Sequence, residues 1–338
     1  MVNIDPKKTS GSEELAGENT HYDVLIIGQG ASTYSAAMYV ARYQMKPIIF
    51  GGETATCGII ENYPGYPEID GFELMLKFRE QAEKYNVPIV DGNIVKAAKL
   101  VDEFEVTTEE GETYRGASII LGVGRERRTL VFDHETEWMG RGVSYCATCD
   151  APIHRGNTVA VVGGGDSAVK GAVLLGKHAK KVYIIYRQGS FTHPEPINLS
   201  QLDASSNVEP IFNTQIVELL GDDGLTGVVL SQEHNGSSKL TLDGVFIEIG
   251  ADPRVDLPNE LGLDLNDVNE VIVDKAGATN IEGVFAAGDL TDASGDLKQT
   301  ITASAQGAIA ATSAYAYASE HPNSCEIQVM GYSLAEVD

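Results

Sequence analysis

The sequence predicts an α/β fold built from two parallel-sheet units, on three observations. An apolar run followed at once by a glycine turn and a small-residue helix occurs near residue 25 and again near residue 160. Towards the C-terminal end a third apolar strand closes on Gly288-Asp289 and is followed by a long alanine-rich helix. At 338 residues the chain exceeds one ordinary domain and suffices for two, each with its own core.

Charge and cysteine content narrow the function classes. Forty-nine acidic residues against 24 basic give a net charge of −25, which leaves no basic surface for nucleic acid or anionic membrane. Adaptation to high salt is one reading of that charge. No apolar run reaches the roughly 20 residues of a membrane span, and residues 1–20 are too polar for a secretory signal. A cytoplasmic location is therefore expected, with no nucleic-acid or membrane partner. Four cysteines are too few for a disulfide-built scaffold, so a close pair among them points to chemistry more than to architecture.

In chain order, residues 1–20 lack periodicity and read as a mobile leader. Asp23-Val24-Leu25-Ile26-Ile27 suits a buried parallel strand, Gly28-Gln29-Gly30 a turn, and Ala31 to Arg42 a helix. Such a turn exposes backbone N–H groups and a helix N-terminus to a pyrophosphate, which indicates an adenine dinucleotide. Thr33 stands where the third glycine of that fingerprint would be. The second copy is complete. Thr158 to Val162 leads into Gly163-Gly164-Gly165-Asp166-Ser167-Ala168, a helix to about Gly176 and a strand at Val182 to Tyr186. Its turn lies 135 positions after the first. At the third strand, a carboxylate on Asp289 beside the helix that opens at Gln299-Thr300 can hold the ribitol or ribose hydroxyls of a flavin.

Between the two turns lies Cys146-Ala147-Thr148-Cys149-Asp150. Thiols three positions apart either exchange with another disulfide or hold a metal. A closed zinc site needs two further ligands; His154 is near and no second Cys-x-x-Cys exists, so no metal is assigned. Cys57 and Cys325 read as inert small side chains, and His134, His178, His193 and His234 share no spacing.

Together, Ser144-Tyr145-Cys146-Ala147-Thr148-Cys149-Asp150, the Gly163 turn, Glu61-Asn62-Tyr63-Pro64-Gly65 and Ala286-Ala287-Gly288-Asp289 resemble the low-molecular-weight thioredoxin reductases, from Tyr22 to about Ala318. The resemblance implies two Rossmann-like three-layer dinucleotide-binding domains, the second inserted in the first. An FAD domain then covers 21–125 and 251–320, a nicotinamide domain carrying the dithiol covers 126–250, and 321–338 is a tail. It also implies a homodimer and a thioredoxin-like protein partner. Gly28, Gly30, Asn62, Gly288, Asp289, Gln299 and Thr300 match flavin positions, and Gly163, Gly165, Asp166, Ser167 and Arg187 match nicotinamide positions. Cys149 would exchange electrons with the flavin, Cys146 would attack the partner's disulfide, and Asp150 would be the general acid.

Two departures bear on this implication. The loop Gly51 to Gly58 is shorter and more acidic than the resemblance predicts. After the strand at Ile185, where the family carries a histidine, two arginines and a third arginine four positions on, this chain has Tyr186, Arg187, Gln188 and Thr192. A 2′-phosphate needs bidentate cations, and a free 2′-hydroxyl is normally gripped by an acid at the strand end; neither set is complete. The donor is thus open between NADPH, NADH and a ferredoxin-like protein. A non-enzymatic flavin redox sensor is the alternative class, and the intact dithiol and acid argue against it.

Overall fold

The computed structural model describes residues 21–52 and 58–321. The leader, Cys57, Cys325 and the tail beyond His321 lie outside the described residues. In chain order the first half contains β1 (His21–Ile27), α1 (Ala31–Arg42), β2 (Pro47–Gly51), β3 (Ile59–Ile60), β4 (Ile69–Asp70), α2 (Gly71–Glu83), β5 (Ile89–Asp91), β6 (Ile94–Lys99), β7 (Phe104–Thr108), β8 (Thr113–Leu121), β9 (Arg125–Arg127) and β10 (Val143–Ser144). There follow α3 (Ala147–Asp150), β11 (Thr158–Val162), α4 (Asp166–Gly176), β12 (Lys181–Ile185), α5 (Pro196–Asp203), β13 (Val208–Ile211), β14 (Ile216–Gly221), β15 (Leu225–His234), β16 (Ser237–Thr241) and β17 (Gly244–Ile247). The last elements are β18 (Ala251–Pro253), α6 (Asp256–Leu261), β19 (Val284–Ala286) and α7 (Thr300–Glu320).

The first sheet runs β5-β2-β1-β8-β7-β6, with β19 added on β8; its β5, β2, β1, β8 and β19 are parallel. Strand β1 is apolar throughout because both its faces are covered. Val24 and Ile26 pack with Ala36, Ala37 and Val40 of α1 and Ala310, Ala311 and Ala314 of α7, whereas Leu25 and Ile27 face Phe104, Val106, Leu257 and Leu263. The second sheet, β10-β17-β11-β12-β13, is wholly parallel. One of its faces meets α4 through Ala168, Val169, Ala172 and Leu175, and the other meets Trp138 and the antiparallel β14-β15-β16 layer. These are two three-layer Rossmann-like assemblies.

The chain crosses between them twice at one place, where β9 and β18 pair antiparallel with Arg125 opposite Pro253. Helices α1 and α4 span the expected residues 31–42 and 166–176. Among the described residues no helix is long and apolar enough to cross a membrane.

Candidate functional site

Two helix N-termini converge on the first glycine turn. Gly28 has φ +122°, and a Cβ there would sit 2.3 Å from Gly122 O; a Cβ on Gly30 would meet nothing within 4 Å. The first position is steric and the second leaves the backbone open to a ligand. Thr33 fits the place of the third glycine because the space is supplied from the other side: a Cβ on Gly122 would be 2.4 Å from Thr33 Cγ2. Thr33 Oγ1 also accepts from Gly30 N and donates to Gly30 O, both at 2.9 Å, which closes the first turn of α1.

Opposite this turn, Gly288 (φ +80°) lies against Ser32, and its N–H donates to Gln306 Oε1 at 2.7 Å. Asp289 follows in a single 3-10 turn. Burial pushes its carboxyl up, against the downward pull of Lys298 and Arg125 and with Glu270 reinforcing the rise. Gln299 caps α7, and its Oε1 accepts Asn62 Nδ2 at 3.0 Å. Thr300 is the first helical residue. Ser32 thus links the first glycine turn to Gly288 and Asp289, and Asn62 is tied to Gln299 beside Thr300, which gathers open backbone, amides and a carboxyl around the flavin-type groove. That donor set fits a flavin dinucleotide.

Cys146 and Cys149 are joined as a disulfide, S–S 2.08 Å and Cα–Cα 5.3 Å. Cys146 caps the short helix α3, and the Cys149 N–H points at Cys146 Sγ at 3.0 Å. A backbone donor aimed at sulfur stabilises the thiolate once the bond is reduced. The entry to the motif is held twice. Cys146 N donates to Ser144 Oγ at 3.0 Å, and the Tyr145 hydroxyl donates to the buried Glu135, which also accepts Leu130 N and Phe132 N, both at 2.9 Å. Burial and Glu135 together push the Tyr145 hydroxyl up. Asp150 ends α3, and its N–H donates to Cys146 O at 3.2 Å. His154 is turned inward, edge-on to Phe246 with centroids 5.2 Å apart. Burial lowers its pKa although Asp150 and Asp243 oppose this, so at neutral pH it is uncharged. Among the described residues no three His, Cys, Asp or Glu converge as a metal site would.

The dithiol helix lies against the segment that leads to Asn62. A Cβ on Gly58 would lie 2.8 Å from Thr148 Oγ1, and Lys170 Nζ donates to Ile59 O at 3.0 Å. Between these segments runs a cleft of about 810 Å³, shared by Ile59, Glu61, Thr148, Lys170, Arg127 and Glu248.

The second turn repeats the steric logic. Gly163 has φ +138° and a Cβ there would be 2.1 Å from Glu248 O, whereas Gly165 is open. Asp166 spends its carboxylate on Glu195 N (2.7 Å) and Asn198 Nδ2 (2.8 Å), bracing α5. At the end of β12 the Tyr186 ring lies on Gly164, its hydroxyl pairs with Thr192 Oγ1, and Thr192 Oγ1 donates to Gln188 Oε1 at 3.2 Å. Arg187 is exposed beside this neutral cluster.

Sequence reading missed Glu248. It directly follows the buried strand β17, at the carboxyl end of a parallel sheet, where ligands of such sheets bind; that position was the available signal. Its Cγ would be 3.9 Å from a Cβ on Gly171, which in turn would touch Ala147 Cβ at 3.3 Å, so the carboxyl lies under the dithiol helix. Burial pushes it up to about 7, with Arg127 pulling the other way. The folded value is above the unfolded one, so the fold disfavours the charge. Its contribution is harmless at low pH and costs stability as pH rises through 4.5 towards 7. Glu248→Gln should remove that decline, a gain over wild type at pH 8 of about 3 kcal/mol or less by denaturant titration; parallel pH profiles would disprove it.

Residues 22–307 match the family described as pyridine nucleotide-disulphide oxidoreductase. A thioredoxin reductase of Mycolicibacterium smegmatis is 38% identical over 314 residues, 90% of this chain and 99% of the relative. The crystal structure of Lactococcus lactis thioredoxin reductase (FR conformation) superposes with TM-score 0.81 at 34% identity, covering 88% of this chain and 99% of the other. That of T. acidophilum thioredoxin reductase gives 0.79 at 32%, with 88% and 99% covered.

Proposed function

The chain belongs to the pyridine nucleotide-disulphide oxidoreductase family, and from that premise we propose that it is an FAD-dependent thioredoxin-disulfide reductase passing electrons from a reduced nicotinamide to a thioredoxin-like protein. The observation that carries this reading is the Cys146–Cys149 disulfide on the short helix whose Thr148 meets Gly58, in the segment that leads to Asn62 and, through it, to Gln299. Residues 21–125 and 251–320 form the FAD domain in this reading, 126–250 form the inserted nicotinamide domain, and the paired β9 and β18 are the hinge.

FAD bound there supplies two-electron transfer between the nicotinamide and the disulfide. Gly28, Gly30 and α1 would hold its pyrophosphate, Gly288 and Asp289 its polyol, and Asn62, Gln299 and Thr300 its ring end. The remaining chemistry belongs to the chain. In the reduced dithiol, the Cys146 thiolate attacks the partner's disulfide, and a new S–S bond forms as the partner's bond breaks. Asp150 gives a proton to the leaving thiolate. The Cys149 thiolate then attacks Cys146 Sγ, which closes the ring and releases the partner's second sulfur, so two electrons have left the dithiol.

At the second turn, Gly163, Gly165 and Ser167 would hold the nicotinamide's pyrophosphate, with Asp166 bracing from behind and Arg187 at the ribose end. Hydroxyls and an amide on Tyr186, Thr192 and Gln188 match ribose hydroxyls better than a dianionic phosphate. Anaerobic stopped-flow reduction should therefore bleach the flavin with NADH at least as readily as with NADPH, and Gln188→Arg with Thr192→Arg should tighten NADPH binding by about tenfold or more. Bleaching by reduced ferredoxin alone would move the donor to that class. We further propose a homodimer, as the family resemblance implies, located in the cytoplasm; a monomer in light scattering would refute the assembly.

A further inference from the structure

We propose that Arg125, on the crossing strand between the two sheets, is a flavin-facing cation that sets the reduction potential of the bound FAD. The proposal rests on the flavoprotein reading above. It starts from one atom: Arg125 Nε is buried and, among the described residues, its N–H donates to no acceptor. A buried guanidinium N–H without a partner is costly, and such groups are rare unless a ligand or solvent completes them.

The neighbours locate the ligand. Arg125 Nη2 lies 3.8 Å from Glu270 Oε1, and the same oxygen takes Lys298 Nζ at 2.9 Å. Lys298 also donates to Thr291 O and directly precedes the α7 cap Gln299. Glu270 is anchored by its own hydrogen bonds with Asn266, at 3.0 Å through Oε2 and 2.9 Å through its N–H. Burial would raise the Glu270 carboxyl, but Lys298, Asn266 and Arg125 together bring it below the usual range. Both Arg125 and Lys298 act on Asp289, the groove's own acid, and Arg125 acts also on Asp252. The charged groups around Arg125 are thus Glu270, Asp289, Asp252 and Lys298, and two of them border the flavin-type groove. Backbone pairing fixes the side chain's origin: Arg125 is opposite Pro253, and Arg254 N donates to Gly124 O at 3.1 Å.

The chemistry follows from charge. Two electrons and one proton delivered to a flavin add one negative charge, and a fixed cation in a water-poor site favours that state. Asp252 is taken by Arg128 and burial disfavours the charge on Asp289, which leaves Glu270 as the anion that Arg125 and Lys298 share, so Arg125 keeps net positive character toward the groove.

The test measures the midpoint potential of bound FAD, with FAD affinity by fluorescence quenching and thermal stability read separately. Arg125→Gln should reduce the preference for reduced over oxidised flavin about tenfold, which for a two-electron couple is about 30 mV downward. Arg128→Gln, which removes the exposed surface pair with Asp252 on the same segment, should leave the potential unmoved. If Arg125→Gln does not fold, Arg125→Lys keeps the charge and removes the Nε donor; a fall of about threefold, near 15 mV, is then expected. A merely structural Arg125–Glu270 pair would lower the melting temperature and leave the potential where it is. Bound FAD with an unmoved potential in these variants overturns this proposal alone. Wild-type protein that holds no FAD overturns the proposed function as well.

Discussion

Cys146→Ser should lose disulfide turnover with a thioredoxin-like substrate by at least about a thousandfold, while its flavin is still reduced by nicotinamide within about twofold of the wild-type rate. The separation of the two half-reactions is the point. Cys146 Sγ is the atom that the Cys149 N–H faces at 3.0 Å, so it is the sulfur whose thiolate the fold stabilises. Serine keeps the volume and the hydrogen bond, but its hydroxyl does not ionise near neutral pH, so the attacking anion is gone. Nothing in the nicotinamide turn or the flavin-type groove depends on that sulfur. Cys149→Ser gives the complementary result: Cys146 still attacks, the ring cannot close, and the partner stays attached as a mixed disulfide, visible as a covalent adduct on a non-reducing gel. Unchanged turnover in Cys146→Ser would remove the dithiol from the mechanism, whatever the family.

Much of the architecture was legible because it rests on local signals. Strand β1 is apolar at every position since both faces are buried, and a glycine turn followed by small residues fixes α1 to the residue. The same holds for β11 and α4. The dithiol was legible for a different reason, since few residue types can do its chemistry and it stood between two recognisable glycine turns. Long-range pairings were not. Thr33 looked like a defect in the fingerprint until Gly122, nearly 90 positions away, supplied the missing space. Asp166 stood at a ligand position by spacing, and its carboxylate is spent on Glu195 and Asn198. Glu248 had only its place after a buried parallel strand to mark it, and Arg125 and Lys298 carry no pattern of their own; burial and distance single them out. Arg125 and Lys298 are 173 positions apart, and no periodicity links them.

Gly307→Ala should be strongly damaging, although by helix propensity alone it would be stabilising by up to about 1 kcal/mol. In the alanine-rich α7 nothing in the sequence marks this position, and an added alanine would look harmless. The structure reverses the sign. A Cβ on Gly307 would lie 1.9 Å from Ser32 O, 2.7 Å from Ser32 C and 2.9 Å from Ser32 Cα, so it would strike backbone, which cannot rotate away. Ser32 is in the first turn of α1, and its Oγ also lies 2.9 Å from the Cβ position of Gly288. Accommodating the methyl therefore means separating α1 from α7, and that moves the pyrophosphate turn away from Gly288 and Asp289. Overpacking of this kind costs about 3 kcal/mol or more where neither side can repack. The variant should show a lower denaturation midpoint and release FAD on gel filtration, whereas Ala305→Ser, on the exposed face of the same helix, should change neither. Retention of flavin at wild-type stability would show that the two helices are not locked at this crossing. If FAD is lost while the apoprotein keeps its midpoint, the α1–α7 contact serves the cofactor groove more than the fold.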